Sequence, residues 1–263
     1  MILSTADDRS LAFSIEGHDG PAVVHLHGLT SSRARDSVLG LDLTRDLRAD
    51  ASVRVLRYDA RGHGESTGGD DPDEYTWPRL AIDLLTLIDH VFPGEPVHSI
   101  GPSMGSATQL YAALEAPERF ASLTLALPPT AWETRADRAA TYENSASMVQ
   151  RYGAASLVDA LDERPPAAPP APPTRPDVAE NLLPTVLRGA ARSNLPDRAR
   201  LAEIGIPSLL LAWIDDPAHP LSTAQELHRL LPQSTLAVAH EVGDLVTWPG
   251  LLRHHVTQPI AAR

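Results

Sequence analysis

The residues best suited to chemistry lie in Gly101-Pro102-Ser103-Met104-Gly105, a serine framed by two glycines. A serine hydroxyl becomes a nucleophile when a neighbouring base takes its proton, and a sharp corner from strand into helix presents it clear of other side chains. Glycine on either side permits the strained backbone and close packing that such a corner requires. The flanking segments fit. Val97 to Ile100 is a short apolar run and Ala107 to Leu114 carries a helical pattern, so strand, turn and helix follow one another directly. Ser103 then stands at a helix N-terminus, where free amides and the helix dipole favour developing negative charge.

The elements that must carry this corner recur along the chain. Ala22 to Leu26 and Val53 to Tyr58 are apolar, β-branched runs of the kind buried parallel strands show. Trp77 to Phe92 has the spacing of an amphipathic helix, ended by Pro93-Gly94. Phe120 to Leu127, Pro207 to Trp213 and Ser234 to Ala239 read as further strands, the last two separated by a helical stretch from Thr223 to Leu231. Alternation of this kind predicts an α/β fold with a doubly wound, mostly parallel sheet. Residues 128–200 break the rhythm with helical pieces at Ala139 to Tyr152 and Val178 to Arg188, so the expected organisation is a core of 1–127 and 201–263 with a helical cap inserted between. Within that cap the proline-rich connector 164–176 cannot be helical and is expected to be a stiff, extended surface linker. Trp132, Tyr142, Met148 and Tyr152 offer apolar surface either to a pocket or to the packing of the cap onto the core.

Composition narrows the function classes. The 263 residues contain no cysteine, which excludes disulfides, a thiol nucleophile and thiolate metal sites. There is no membrane-spanning apolar run and no basic start of a signal peptide, so a cytoplasmic protein is expected. The net charge of −12 argues against nucleic acid or an anionic membrane as partner and favours an uncharged or cationic small substrate. Neither a phosphate loop nor a dinucleotide fingerprint appears, and the histidines lack metal-ligand spacing, so no cofactor and no metal are expected.

With its serine corner, its His27-Gly28-Leu29-Thr30 segment after an early strand and its Asp216-Pro217 turn after a late one, the chain resembles the α/β-hydrolase family over nearly its whole length. The resemblance implies that the backbone amides of Leu29 and Met104 form an oxyanion hole, that His27 is architectural, and that Asp216, or alternatively Asp215, is the acid that orients a histidine base. Asp59, Arg61 and His63, in Arg57-Tyr58-Asp59-Ala60-Arg61-Gly62-His63-Gly64, are similar to a supporting loop of the family and are expected to brace the site.

The family places its histidine shortly after the last strand, where this sequence has no clean match. His240 abuts the strand, and the family position falls on Val242 or Trp248 depending on the gap. His240 is therefore the first choice for the base, His219, three residues after Asp216, the second, and the His254-His255 pair is expected on the surface. The chemistry implied is hydrolysis of a small carboxylic ester, lactone or thioester through an acyl-enzyme on Ser103. A serine nucleophile argues against the branches that need a carboxylate, such as epoxide hydrolases. The alternatives are a carbon-carbon bond hydrolase, a non-hydrolytic cyclase of natural-product metabolism, or a ligand-binding protein with an incomplete triad.

Overall fold

The computed structural model describes residues 1–39, 41–49, 53–157 and 175–257. Eight strands form one sheet: β1 (Ile2–Ser4), β2 (Ser10–Glu16), β3 (Ala22–His25), β4 (Arg54–Tyr58), β5 (Val97–Pro102), β6 (Phe120–Ala126), β7 (Ser208–Trp213) and β8 (Ser234–Ala239). Their order is β1-β2-β4-β3-β5-β6-β7-β8. The β1–β2 and β2–β4 pairs are antiparallel and all the others parallel. The antiparallel pair β1–β2 is an addition to the elements expected from the sequence.

The central strands β3, β6 and β7 are buried along their whole length, because helices cover both faces of a parallel sheet and leave no side that water reaches. On one face α3 (Trp77–Val91) and α4 (Met104–Glu115) pack Leu84, Leu87, Ile88 and Leu110 into the larger core. On the other, α9 (Trp248–Thr257) brings Trp248, Leu252 and Val256 against Ile100, Leu209 and Leu211. The helices α1 (Arg33–Leu39), α2 (Arg45–Ala49), α7 (Arg198–Leu201) and α8 (Leu221–Leu230) complete the covering layers. Among the described residues no helix is long and apolar enough to cross a membrane.

Between β6 and β7 lie α5 (Arg135–Tyr152) and α6 (Leu183–Arg192), which share a small separate apolar cluster of Ala146, Val149, Leu183 and Leu187 against which Leu29 packs. Buried Arg135 fixes this pair. Its guanidinium donates to the carbonyls of Ser193 and Ala190 and lies 4.4 Å over the Trp77 ring. Of the connector 164–176, residues 164–174 lie outside the described residues. The chain leaves β3 toward β4 and returns as β5 on β3's other side, so the β3 and β5 loops diverge across a crevice at the carboxyl ends of the strands. Ligand sites of open α/β sheets form at such a switch point.

Candidate active site

Ser103 occupies the corner between β5 and α4 with φ 52° and ψ −112°, a region that a non-glycine residue adopts only under constraint. The constraint is visible in the hydrogen bonds around it. The Ser103 amide donates to the Ala126 carbonyl at 3.0 Å, the Ala107 amide to the Ser103 carbonyl at 3.1 Å, and the Ser106 hydroxyl lies 2.8 Å from the Gly101 carbonyl. Gly101 and Gly105 are needed here for space. A Cβ on either would come within 2.9 Å of the Leu26 Cβ, on the neighbouring strand-end segment.

Asp216 and His219 lie on the loop after β7. The His219 Nδ1 stands 2.8 Å from Asp216 Oδ2, and its Nε2 stands 2.9 Å from Ser103 Oγ. A carboxylate only accepts, so the ring proton sits on Nδ1 and the Nε2 lone pair faces the serine O–H. Asp216 is buried, and its second oxygen accepts from the amides of Ala218 and His219 at 2.8 and 3.2 Å. Burial alone would raise this carboxyl, but the His219 ring and those two amides outweigh it and hold the group below the ordinary aspartate range. Asp215 is exposed with φ 60° and takes no part.

The imidazole within reach of Ser103 is thus that of His219, the second choice from the sequence, and not that of His240, the first. His240 follows β8 directly and is exposed, and its amide donates to Asp244 Oδ2 at 2.7 Å. The same carboxylate also receives the Glu241 amide at 3.2 Å. Asp244 thereby caps the 3-10 turn Val242–Thr247, which fills the stretch where the resemblance leads one to expect a histidine. Of the tandem pair, His254 is exposed, whereas His255 is half-buried and donates through Nε2 to the Leu123 carbonyl.

The remaining candidate residues lie around this corner and the neighbouring loops. The amides of Leu29 and Met104 have no acceptor among the described residues, and the Leu29 segment lies against the serine corner, a Cβ on Gly28 coming 3.9 Å from that of Ser103. His27 donates through Nδ1 to the Gly28 carbonyl and accepts the Ala60 amide on Nε2 at 2.9 Å, tying the β3 loop to the β4 loop. Asp59 receives the Arg33 amide and guanidinium, Arg61 is fully buried on Asp83, Asp7 and Glu74, and His63 bridges to Val178.

A cavity of about 760 Å³ opens on Ser103 and His219. Of the four aromatic and apolar candidates, Tyr142 and Met148 line it. Trp132 packs against the main core, its indole donating to the Pro196 carbonyl, and Tyr152 is exposed. Sequence reasoning missed the opposite wall, where Leu43, Leu127, Leu245 and Trp248 belong to the cluster beneath α9, and the polar residues Arg35, Asp36 and Arg138. Leu43 and Leu245 sit in turns that leave no periodic signal.

Comparison with known proteins agrees with this fold. The model of the alpha/beta hydrolase fold family matches residues 21–142. The chain is 28% identical to 3-oxoadipate enol-lactonase 2 of Acinetobacter baylyi, across 70% of this chain and 69% of that protein. It is 25% identical to a putative 2-succinyl-6-hydroxy-2,4-cyclohexadiene-1-carboxylate synthase of Bacillus subtilis, across 98% and 93%. Among solved structures, a hydrolase from Pseudomonas aeruginosa superposes with a TM-score of 0.77 at 24% identity, over 98% of both chains. The enol-lactonase of Burkholderia xenovorans superposes at 0.76 with 20% identity, over 98% of this chain and 100% of that one. The sheet order, the strained serine corner and these likenesses together show that the chain has the α/β-hydrolase fold.

Proposed function

We propose that this protein is a serine hydrolase that cleaves a small carboxylic ester, lactone or thioester through an acyl-enzyme on Ser103. The observation that carries the reading is the unbroken hydrogen-bonded chain from Ser103 through His219 to Asp216. In this mechanism Ser103 Oγ attacks the substrate carbonyl while His219 Nε2 takes its proton. The amides of Leu29 and Met104 receive the oxyanion, and Asp216 steadies the imidazolium formed. His219 then returns the proton to the departing alcohol, enol or thiol, and water, activated by the same ring, releases the acid. Residues 128–200 act as a cap over a core of 1–127 and 201–263, with Tyr142 and Met148 shaping the substrate space.

Two enol-lactonases among the similar proteins favour lactones within this range. Carbon-carbon bond cleavage, cyclisation and ligand holding rest on a missing base, and His219, 2.9 Å from Ser103 Oγ, supplies one. A short p-nitrophenyl ester series tests the reading. Wild type is expected to release p-nitrophenol, and Ser103→Ala to be slower by about four powers of ten or more. Equal release by the two proteins would overturn it.

A further inference from the structure

Arginine is the only basic residue type besides histidine in this chain, and many of its arginines are matched with acids, among them Arg33, Arg48, Arg61, Arg79, Arg119 and Arg198. The three that line the catalytic cavity, Arg35, Arg45 and Arg138, differ. None has a carboxylate partner among the described residues. The acids of the same lining do not balance them. Asp42 is committed to Arg48 at 2.5 Å and Arg57 at 3.5 Å, Asp46 is exposed, and the buried Asp36 carboxyl, held on the Ser31 hydroxyl, is pushed up to about 7 by that burial. Arg45 is as exposed as Asp46, so in a protein of net charge −12 the half-buried Arg35 and Arg138 are the basic residues that count in the cavity wall, where a low-dielectric surround strengthens their field.

Arg138 is the best placed of the three. It projects from α5, half-buried, with its guanidinium 6.0 Å from the Tyr142 ring and Nη2 donating to the Pro217 carbonyl at 3.1 Å. Pro217 lies between Asp216 and His219, so this one bond fixes the guanidinium beside the acid-base loop. The other four N–H donors have no acceptor among the described residues. A planar fork of donors with no protein acid to satisfy it matches a carboxylate, which takes two parallel N–H bonds.

We infer that Arg138 holds a carboxylate of the substrate and that the enzyme is built for anionic esters or lactones. This runs against the expectation of an uncharged or cationic substrate drawn from net charge, because a substrate meets Arg138 in the cavity wall and not the sum of all surface charges. The inference takes its reaction from the hydrolase reading, but the anion site itself is measurable without turnover.

The test compares mono-p-nitrophenyl glutarate, an anion, with its neutral methyl ester of the same skeleton. Wild type is expected to favour the anion in kcat/KM by about tenfold to a hundredfold, mainly through KM, in keeping with one charge-assisted hydrogen-bonded pair. Arg138→Gln should collapse that ratio and Arg138→Lys should retain part of it. A wild-type ratio at or below one, or a ratio that survives Arg138→Gln, overturns the inference while leaving the hydrolase reading in place. In parallel, calorimetry on Ser103→Ala compares monomethyl glutarate with dimethyl glutarate. Tighter binding of the anion with no hydrolysis of any ester by wild type would sink the hydrolase reading and keep the anion site.

Discussion

His219→Ala is expected to lower kcat/KM for a turned-over ester by about four to six powers of ten, while His240→Ala stays within about twofold of wild type. The difference follows from position. His219 Nε2 is the one base that reaches Ser103 Oγ in hydrogen-bond range among the described residues, and without it the hydroxyl keeps its proton at neutral pH. At 1.36 kcal/mol for each tenfold, the loss corresponds to about 5 to 8 kcal/mol of transition-state stabilisation. Asp216→Asn should cost nearly as much, because an amide that presents N–H to Nδ1 favours the tautomer whose Nε2 carries a proton and cannot accept the one on Ser103. His240 offers only its backbone amide to Asp244 and is exposed, so its ring has no bearing on the reaction. Steady-state kinetics of the three variants checks this, and a His240→Ala protein as impaired as His219→Ala would reverse the assignment.

The second large effect is on stability. Burial pushes the imidazoles of His25, His27 and His98 down to about 4 and that of His63 to about 3. In the unfolded chain each returns to about 6.5. Their contribution is therefore present above pH 6.5 and is lost as pH falls toward the folded values, since the unfolded state binds the protons first. Asp36 works the other way. With its carboxyl raised to about 7, its contribution is full below about 4 and is lost as pH rises through 7.

Near pH 5 these four histidines, joined by His255, which burial also lowers, oppose one aspartate, so unfolding takes up about three protons or more and stability falls by at least about 3 kcal/mol per pH unit. That is a large share of the 5 to 15 kcal/mol typical of a domain. Urea unfolding at pH 7, 6 and 5 should show the slope, and Asp36→Asn should steepen it and gain relative to wild type at pH 8. A stability that is flat from pH 7 to pH 5 would contradict the account.

What was legible in the sequence was what local order determines. The Ser103 corner needs only a strand, two small residues and a helix in immediate succession, and all three lie within one contiguous stretch. Asp216, with Asp215 as its alternative, was singled out only by the likeness of the segment after β7 to the family's acid loop. The histidine was harder because its role depends on how a loop folds back. His219 reaches a serine 116 positions away, and that long separation does not by itself tell which loop folds back onto Ser103. A signal was present all the same, in the prolines at 217 and 220 that restrict the loop and in the three-residue step from Asp216. The charge of the cavity was illegible for another reason. Net charge sums every residue, whereas the sign at the site depends on which arginines the fold leaves without acids.

The most direct measurement is covalent labelling with a fluorophosphonate probe, followed by mass analysis of the protein and its peptides. The account predicts a single adduct on Ser103 in wild type and in His240→Ala, none in Ser103→Ala, and labelling slowed by about a thousandfold or more in His219→Ala. A wild type that refuses the probe, an adduct elsewhere, or a His219→Ala protein that labels at the wild-type rate would contradict it.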